Sequence, residues 1–216
     1  MRIWMLPITL AVLLCCGCAQ ETAGQQGGQG AAVPPAVQDE PGAVRIEGKT
    51  VVMIVARENF RDEELFEPKR ILEEAGARVS VASSSLEPAA GALGGRVEPD
   101  LLVTDIDPAE YDAFVFVGGR GAAEYWQDPK AHDIAQQAAQ QQRIVAAICI
   151  APVTLANAGL LDGKNATVWQ SEAGRLTAKG AVYTGRAVEV DGRIITADGP
   201  ESAEQFGRAL VKALAG

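Results

Sequence analysis

The sequence predicts an α/β fold built on a mainly parallel sheet with helices on both faces. Three observations carry this. Residues 50–56, 113–117 and 144–148 are continuous apolar, β-branched runs, as strands buried on both faces require. Segments of helical spacing lie between the strand-like runs. Turn or cap chemistry closes each element, as at Gly76, Gly118-Gly119 and Asp128-Pro129.

In chain order, residues 50–56 form the first strand and residues 62–74 a helix through Leu65, Ile71 and Leu72, stopped at Gly76. A strand follows at 78–82. The Gly-rich stretch 89–97 reads as a hairpin, 101–103 as a short strand and 107–110 as a helical turn. Residues 113–117 are a buried strand, and 128–141 a helix. The strand 144–148 then runs through Cys149 into a helix over 151–158, with Pro152 in its first turn, where a missing N–H costs nothing. Residues 167–169 read as another strand. Residues 187–197 form a hairpin on Asp191-Gly192. A closing helix over 201–214 presents Phe206, Ala209, Leu210, Ala213 and Leu214.

The ends of the chain carry other signals. Arg2 precedes a mostly apolar stretch, residues 3–14, shorter than the roughly 20 residues of a spanning helix. Leu14-Cys15-Cys16-Gly17-Cys18 resembles a bacterial lipoprotein box. Residues 1–17 are then a lipoprotein signal peptide, and Cys18, preceded by Gly17, is the lipidated residue. Cys16 is the second candidate, and a plain secretory signal is the competing reading. Either way the protein is exported, and the lipid would hold it to a bacterial membrane on the periplasmic or cell-surface side. Residues 18–44 are Gln, Gly, Ala and Pro without periodicity and read as a flexible tether. Residues 45–216 are one domain's length. The chain has 19 basic and 28 acidic residues, a net charge of −9, with no basic run. That argues against a nucleic-acid partner.

Cleavage before Cys18 would leave Cys149 as the one free thiol of the four cysteines. It stands at a strand-to-helix junction, the layout of a nucleophile elbow with Cys in place of Ser. A helix N-terminus lowers a thiol's pKa, so the position predicts an acidic, reactive thiol. An inert buried thiol is the competing reading. In parallel sheets, sites form at the carboxyl ends of the strands. There the pattern brings together three features: the acidic turn Asp62-Glu63-Glu64, the turn Gly118-Gly119, and Cys149. The one histidine, His132, lies mid-helix and reads as a surface residue. One histidine and one mature thiol make a metal site unexpected, and no cofactor is implied.

Three segments together resemble the ThiJ/PfpI superfamily, which includes the parkinsonism-associated deglycase and a bacterial intracellular protease group. They are Phe60-Arg61-Asp62-Glu63-Glu64-Leu65-Phe66-Glu67-Pro68, Val117-Gly118-Gly119-Arg120-Gly121, and Ala146-Ala147-Ile148-Cys149-Ile150-Ala151-Pro152. The resemblance implies a flavodoxin-like, doubly wound sheet and a homodimer. It makes Cys149 the nucleophile and Glu64, four residues before Pro68, its carboxylic partner. A carboxyl buried beside a thiol should have a raised pKa. For Glu64 the alternative is a plain helix N-terminal acid, as for its neighbours Asp62 and Glu63.

Gly118 and Gly119 open the backbone to a substrate oxyanion, with the N–H groups of Gly119 and Ile150 as donors. The chain departs from protease-like members at Ile150, where they carry His. Near a second family His it has Trp169, which would narrow the pocket. The expected activity is therefore a cysteine-dependent hydrolase or glyoxalase/deglycase-type reaction on small reactive carbonyl compounds. Proteolysis is disfavoured without a placed histidine. A redox-responsive protein in which Cys149 is oxidised is the alternative.

Overall fold

The computed structural model describes residues 44–216. The expected signal peptide, the Cys18 box and all but the end of the expected tether lie outside the described residues.

The elements in chain order begin with β1 (Thr50–Ile54), β2 (Glu58–Phe60), α1 (Asp62–Glu74), β3 (Arg78–Ser83), β4 (Ala89–Gly91), β5 (Arg96–Val97) and β6 (Leu101–Leu102). There follow β7 (Ala113–Phe116), α2 (Pro129–Gln140), β8 (Ile144–Ile148), α3 (Pro152–Asn157), β9 (Asn165–Ala166), α4 (Ala173–Thr177) and β10 (Val182–Tyr183). The chain closes with β11 (Val188–Asp191), β12 (Ile194–Ala197) and α5 (Ala203–Ala215).

Seven strands form the central sheet in the order β11-β12-β8-β7-β1-β3-β6. Every pairing in it is parallel except β11 with β12, the hairpin on Asp191-Gly192. From β1 the chain builds outward to β3 and β6, then returns to β7 on the other side. Strand order therefore reverses between β1 and β7, and a crevice opens at such a point beyond the strand ends.

The period-two alternation of strands sorts the core onto two faces. Val51, Met53, Val115, Ala146 and Ile148 pack with Leu65 and Leu72 of α1 and Phe206, Leu210 and Leu214 of α5. Val52, Ile54, Phe114, Phe116, Val145 and Ala147 pack with Ile134 and Ala138 of α2, Val153 and Leu155 of α3, and Leu176 of α4. Gly207 lets α5 approach α1 closely, because a Cβ there would stand 2.9 Å from Ile71 Cδ1 and 3.0 Å from Pro68 Cα.

Three expectations change. Residues 167–169 are not a strand: the ladder stops at Ala166, and the Thr167 N–H donates to Thr196 Oγ1 at 2.9 Å instead. Ala209 and Ala213 sit half-buried at the edge of the closing helix, whose buried face includes Val211. The triplet Glu58-Asn59-Phe60 forms β2, which pairs with β4 in a separate three-stranded sheet, β2-β4-β5. No apolar run marked it.

Candidate active site

The strand β8 delivers Cys149 to the crevice. Its φ of +63° places a non-glycine residue in the left-handed region, a sharp turn that costs about 1–3 kcal/mol and persists only where the surroundings enforce it. Here they do. The Cys149 N–H donates to Ala197 O at 2.9 Å, and the Cys149 carbonyl accepts from the Trp169 N–H at 2.8 Å. The Ala151 N–H donates to Ile148 O at 3.1 Å and closes the turn. Cys149 is a free thiol, 9% exposed.

Glu64 reaches the same point from the first turn of α1. It is 0% exposed, and neither carboxyl oxygen has a partner of ordinary hydrogen-bond geometry. The groups that act on it are the Cys149 thiol, the Gly118 N–H and the charges of Arg61 and Glu63. Gly118 lies between acid and thiol. A Cβ there would fall 2.5 Å from Cys149 Cβ, 2.7 Å from Ile148 O and closer still to Glu64 Oε2. Glycine is thus required by close approach. Gly119 is required by conformation as well, with φ of +94° and the Asn59 carbonyl 2.5 Å from where its Cβ would be. The Arg61 N–H donates to Gly118 O at 3.0 Å and ties this turn to the start of α1.

Burial pushes the Glu64 carboxyl up to about 8, so it holds its proton at neutral pH; the thiol, the Gly118 N–H and Arg61 oppose the rise in part. Burial also pushes the Cys149 thiol up to about 12, assisted by the Glu64 charge. The expected low thiol pKa is therefore corrected. The helix that follows has only six residues and begins at Pro152, so its dipole is small against the desolvation of a buried sulfur. Two groups pull the other way: the backbone N–H groups of Gly119 and Ile150 act on the sulfur and favour the thiolate.

The other acids of the turn are structural. Asp62 accepts from the Leu93 N–H at 2.8 Å and the Gly95 N–H at 2.6 Å, pinning the 89–97 hairpin to α1. Glu63 pairs with Arg61 at 2.9 Å. Trp169 stands beside Cys149 through its backbone; the residue is 47% exposed, and its ring packs over Gly199 and lines a cleft with Tyr183 and Asp198. His132 is not a free surface residue. It is half-buried, and its Nε2 lies 3.0 Å from Trp126 O, an acceptor, so Nε2 carries the hydrogen. Among the described residues no group of three or more His, Cys, Asp or Glu could hold a metal ion.

The DJ-1/PfpI family profile matches residues 49–213, which includes all of these positions. The chain belongs to the DJ-1/PfpI family. It is 31% identical to the deglycase PfpI of Pyrococcus furiosus over 163 residues, 76% of this chain and 98% of that protein. It is 26% identical to the glutathione-independent glyoxalase DJR-1.2 of Caenorhabditis elegans over 168 residues, 78% of this chain and 90% of the relative. The crystal structure of a ThiJ/PfpI domain protein from Brachyspira murdochii superposes with a TM-score of 0.75 at 37% identity, covering 77% of this chain and 98% of the other. The flavodoxin-like α/β fold expected from the sequence is thus shown, and these relatives support a deglycase- or glyoxalase-type function.

What the sequence missed is the residue that closes the 3-10 turn Arg120–Tyr125, Trp126. Its indole N–H donates to Ile150 O at 3.1 Å. A lone tryptophan in a polar stretch gave no pattern that pointed to the elbow.

Proposed function

We propose that this DJ-1/PfpI domain turns over small reactive carbonyl compounds, or their adducts, through Cys149. The observation that carries the reading is the fully buried, unpartnered Glu64 carboxyl facing the thiol across Gly118. An unsatisfied buried acid costs stability, about 1–3 kcal/mol or more, and its raised pKa suits proton transfer near neutrality.

For a 2-oxoaldehyde the chemistry balances within these groups and water. Sγ adds to the aldehyde carbon as the thiol proton passes to the carbonyl oxygen, giving a hemithioacetal. The donors that face the resting sulfur, Gly119 and Ile150 N–H, face an oxyanion built on it. Once its own proton has left to water, the Glu64 carboxylate takes the proton from that carbon and returns it to the neighbouring carbon, while the hydroxyl proton passes to the neighbouring oxygen, which leaves a thioester of a 2-hydroxy acid. Water hydrolyses the thioester and returns the thiol. No amine has to be expelled, so no histidine is required. His132, bound to Trp126 O, offers none.

Purified residues 45–216 should convert methylglyoxal to lactate and leave casein and fluorogenic peptides intact, with Cys149→Ala inactive. Peptide cleavage lost in Cys149→Ala would overturn the reading. Absence of both activities with ready peroxide oxidation of Cys149 would replace it by the redox-responsive alternative.

The proposal extends to export and anchoring through Cys18, on the strength of the leader pattern, and to a homodimer, which most members of the family form. Labelled palmitate should enter the full chain and be lost in Cys18→Ser. Labelling lost in Cys16→Ser instead moves the anchor. Sedimentation of residues 45–216 tests the dimer.

A further inference from the structure

Two peptide planes flank Ile150, and both are held. The plane that carries the Ile150 N–H is fixed at its other end, the Cys149 carbonyl, by the Trp169 N–H at 2.8 Å. Any residue but proline could supply that bond. The next plane is fixed at the Ile150 carbonyl, which accepts from the Val153 N–H at 3.3 Å and from the indole N–H of Trp126 at 3.1 Å. The second donor is a side chain, so it is specific to this sequence.

Trp126 is itself held from three sides. Its carbonyl accepts from Asn157 Nδ2 of α3 at 2.7 Å and from His132 Nε2 of α2 at 3.0 Å. The Arg175 guanidinium of α4 lies 4.8 Å over its ring, a cation–π contact. Three helices therefore converge on one residue, two on its backbone carbonyl and one on its ring, and its indole N–H bonds the residue after the nucleophile. A packing role alone explains the ring contact and not the indole bond to the Ile150 carbonyl.

We infer that Trp126 is a positioning residue: its indole N–H sets the Ile150 backbone so that the Ile150 N–H points at the Cys149 sulfur and at an oxyanion formed on it. His132 and Asn157 hold Trp126 in turn, which gives the chain's one histidine a part in the site without touching the thiol. The inference rests on the proposed role of Ile150 as oxyanion donor. Its action on the resting sulfur does not depend on turnover.

The test uses Trp126→Phe, which removes the N–H and keeps an aromatic face for Arg175. Two quantities are read: the pH midpoint of Cys149 alkylation by iodoacetamide, and kcat and KM for methylglyoxal. With the donor loosened the thiolate is less favoured, so the alkylation midpoint rises by about half a unit. With the oxyanion donor misaligned, kcat falls about tenfold while KM stays within twofold. His132→Leu moves both in the same direction by less, and His132→Gln, which still offers an N–H to Trp126 O, restores them. An unchanged alkylation midpoint in Trp126→Phe overturns the inference whatever happens to turnover. A rise in KM with kcat intact overturns it as well. If the wild type turns over no carbonyl compound, the proposed activity fails, and the alkylation midpoint still decides the role of Trp126.

Discussion

Asp62 and Glu64 stand two residues apart at the start of α1, and both are buried acids. Asp62 is 8% exposed and accepts two backbone N–H bonds, from Leu93 and Gly95. Glu64 is 0% exposed and has no partner of ordinary geometry, while a thiol, one N–H and the charges of Arg61 and Glu63 act on it. The same helix turn thus holds a carboxylate used to build and a carboxyl kept in reserve. A satisfied charge stabilises the fold around it. An unsatisfied one raises the energy of its ionised form and holds a proton ready.

The most severe break removes the thiol. Cys149→Ala should abolish carbonyl turnover while leaving far-UV and near-UV circular dichroism unchanged. Next is the acid: Glu64→Gln keeps the shape and removes the proton, so kcat should fall about 10²- to 10⁴-fold, measured by steady-state kinetics. Gly118→Ala forces a methyl group between the two, and turnover should fall by a comparable factor, because acid and thiol no longer meet. Asp62→Asn gives the other half of the comparison. It leaves kcat within a few-fold and lowers stability in urea unfolding by about 1–3 kcal/mol, since one amide oxygen cannot serve both N–H groups.

The pH dependence of stability isolates the Glu64 carboxyl. The folded Glu64 loses its proton near 8, against the ordinary 4.5 in the unfolded chain. Below 4.5 both states hold the proton, and the contribution to stability is full. Between 4.5 and 8 the unfolded chain ionises and the folded one does not, so stability falls as pH rises. Above 8 the loss levels off. Glu64→Gln should therefore match the wild type in urea midpoint near pH 4 and exceed it at pH 8, by on the order of a few kcal/mol.

How far the site could be read from sequence follows the same division. The strands β1, β7 and β8 were legible because a parallel sheet buried on both faces needs unbroken apolar runs, and Val51–Ile54 and Ile144–Ile148 supply them. The elbow was legible because Pro152 marks a helix start directly behind a strand. Glu64 stood out from Asp62 and Glu63 only through its distance to Pro68 in a family pattern. Nothing local distinguishes three acids in one turn. The acidity of Cys149 was misjudged because sequence shows the helix that follows and not the desolvation around the sulfur. β2 escaped because three residues of Glu-Asn-Phe carry no period. Trp126 and His132 escaped because their partners, Ile150 and Trp126, come from different elements, and only the fold brings them together.

The central claim is that Glu64 is a neutral acid at physiological pH because of where it is buried. The direct measurement is a pH titration of the Glu64 ¹³Cδ chemical shift by nuclear magnetic resonance, assigned by its loss in Glu64→Gln. The account predicts a midpoint near 8, far above the ordinary 4.5. It also predicts that Cys149→Ala moves the midpoint further up, because the thiol favours the ionised carboxyl while burial, assisted by the Glu63 charge, sustains the rise. A midpoint near 4.5, or one that drops to that value when the thiol is removed, would contradict it.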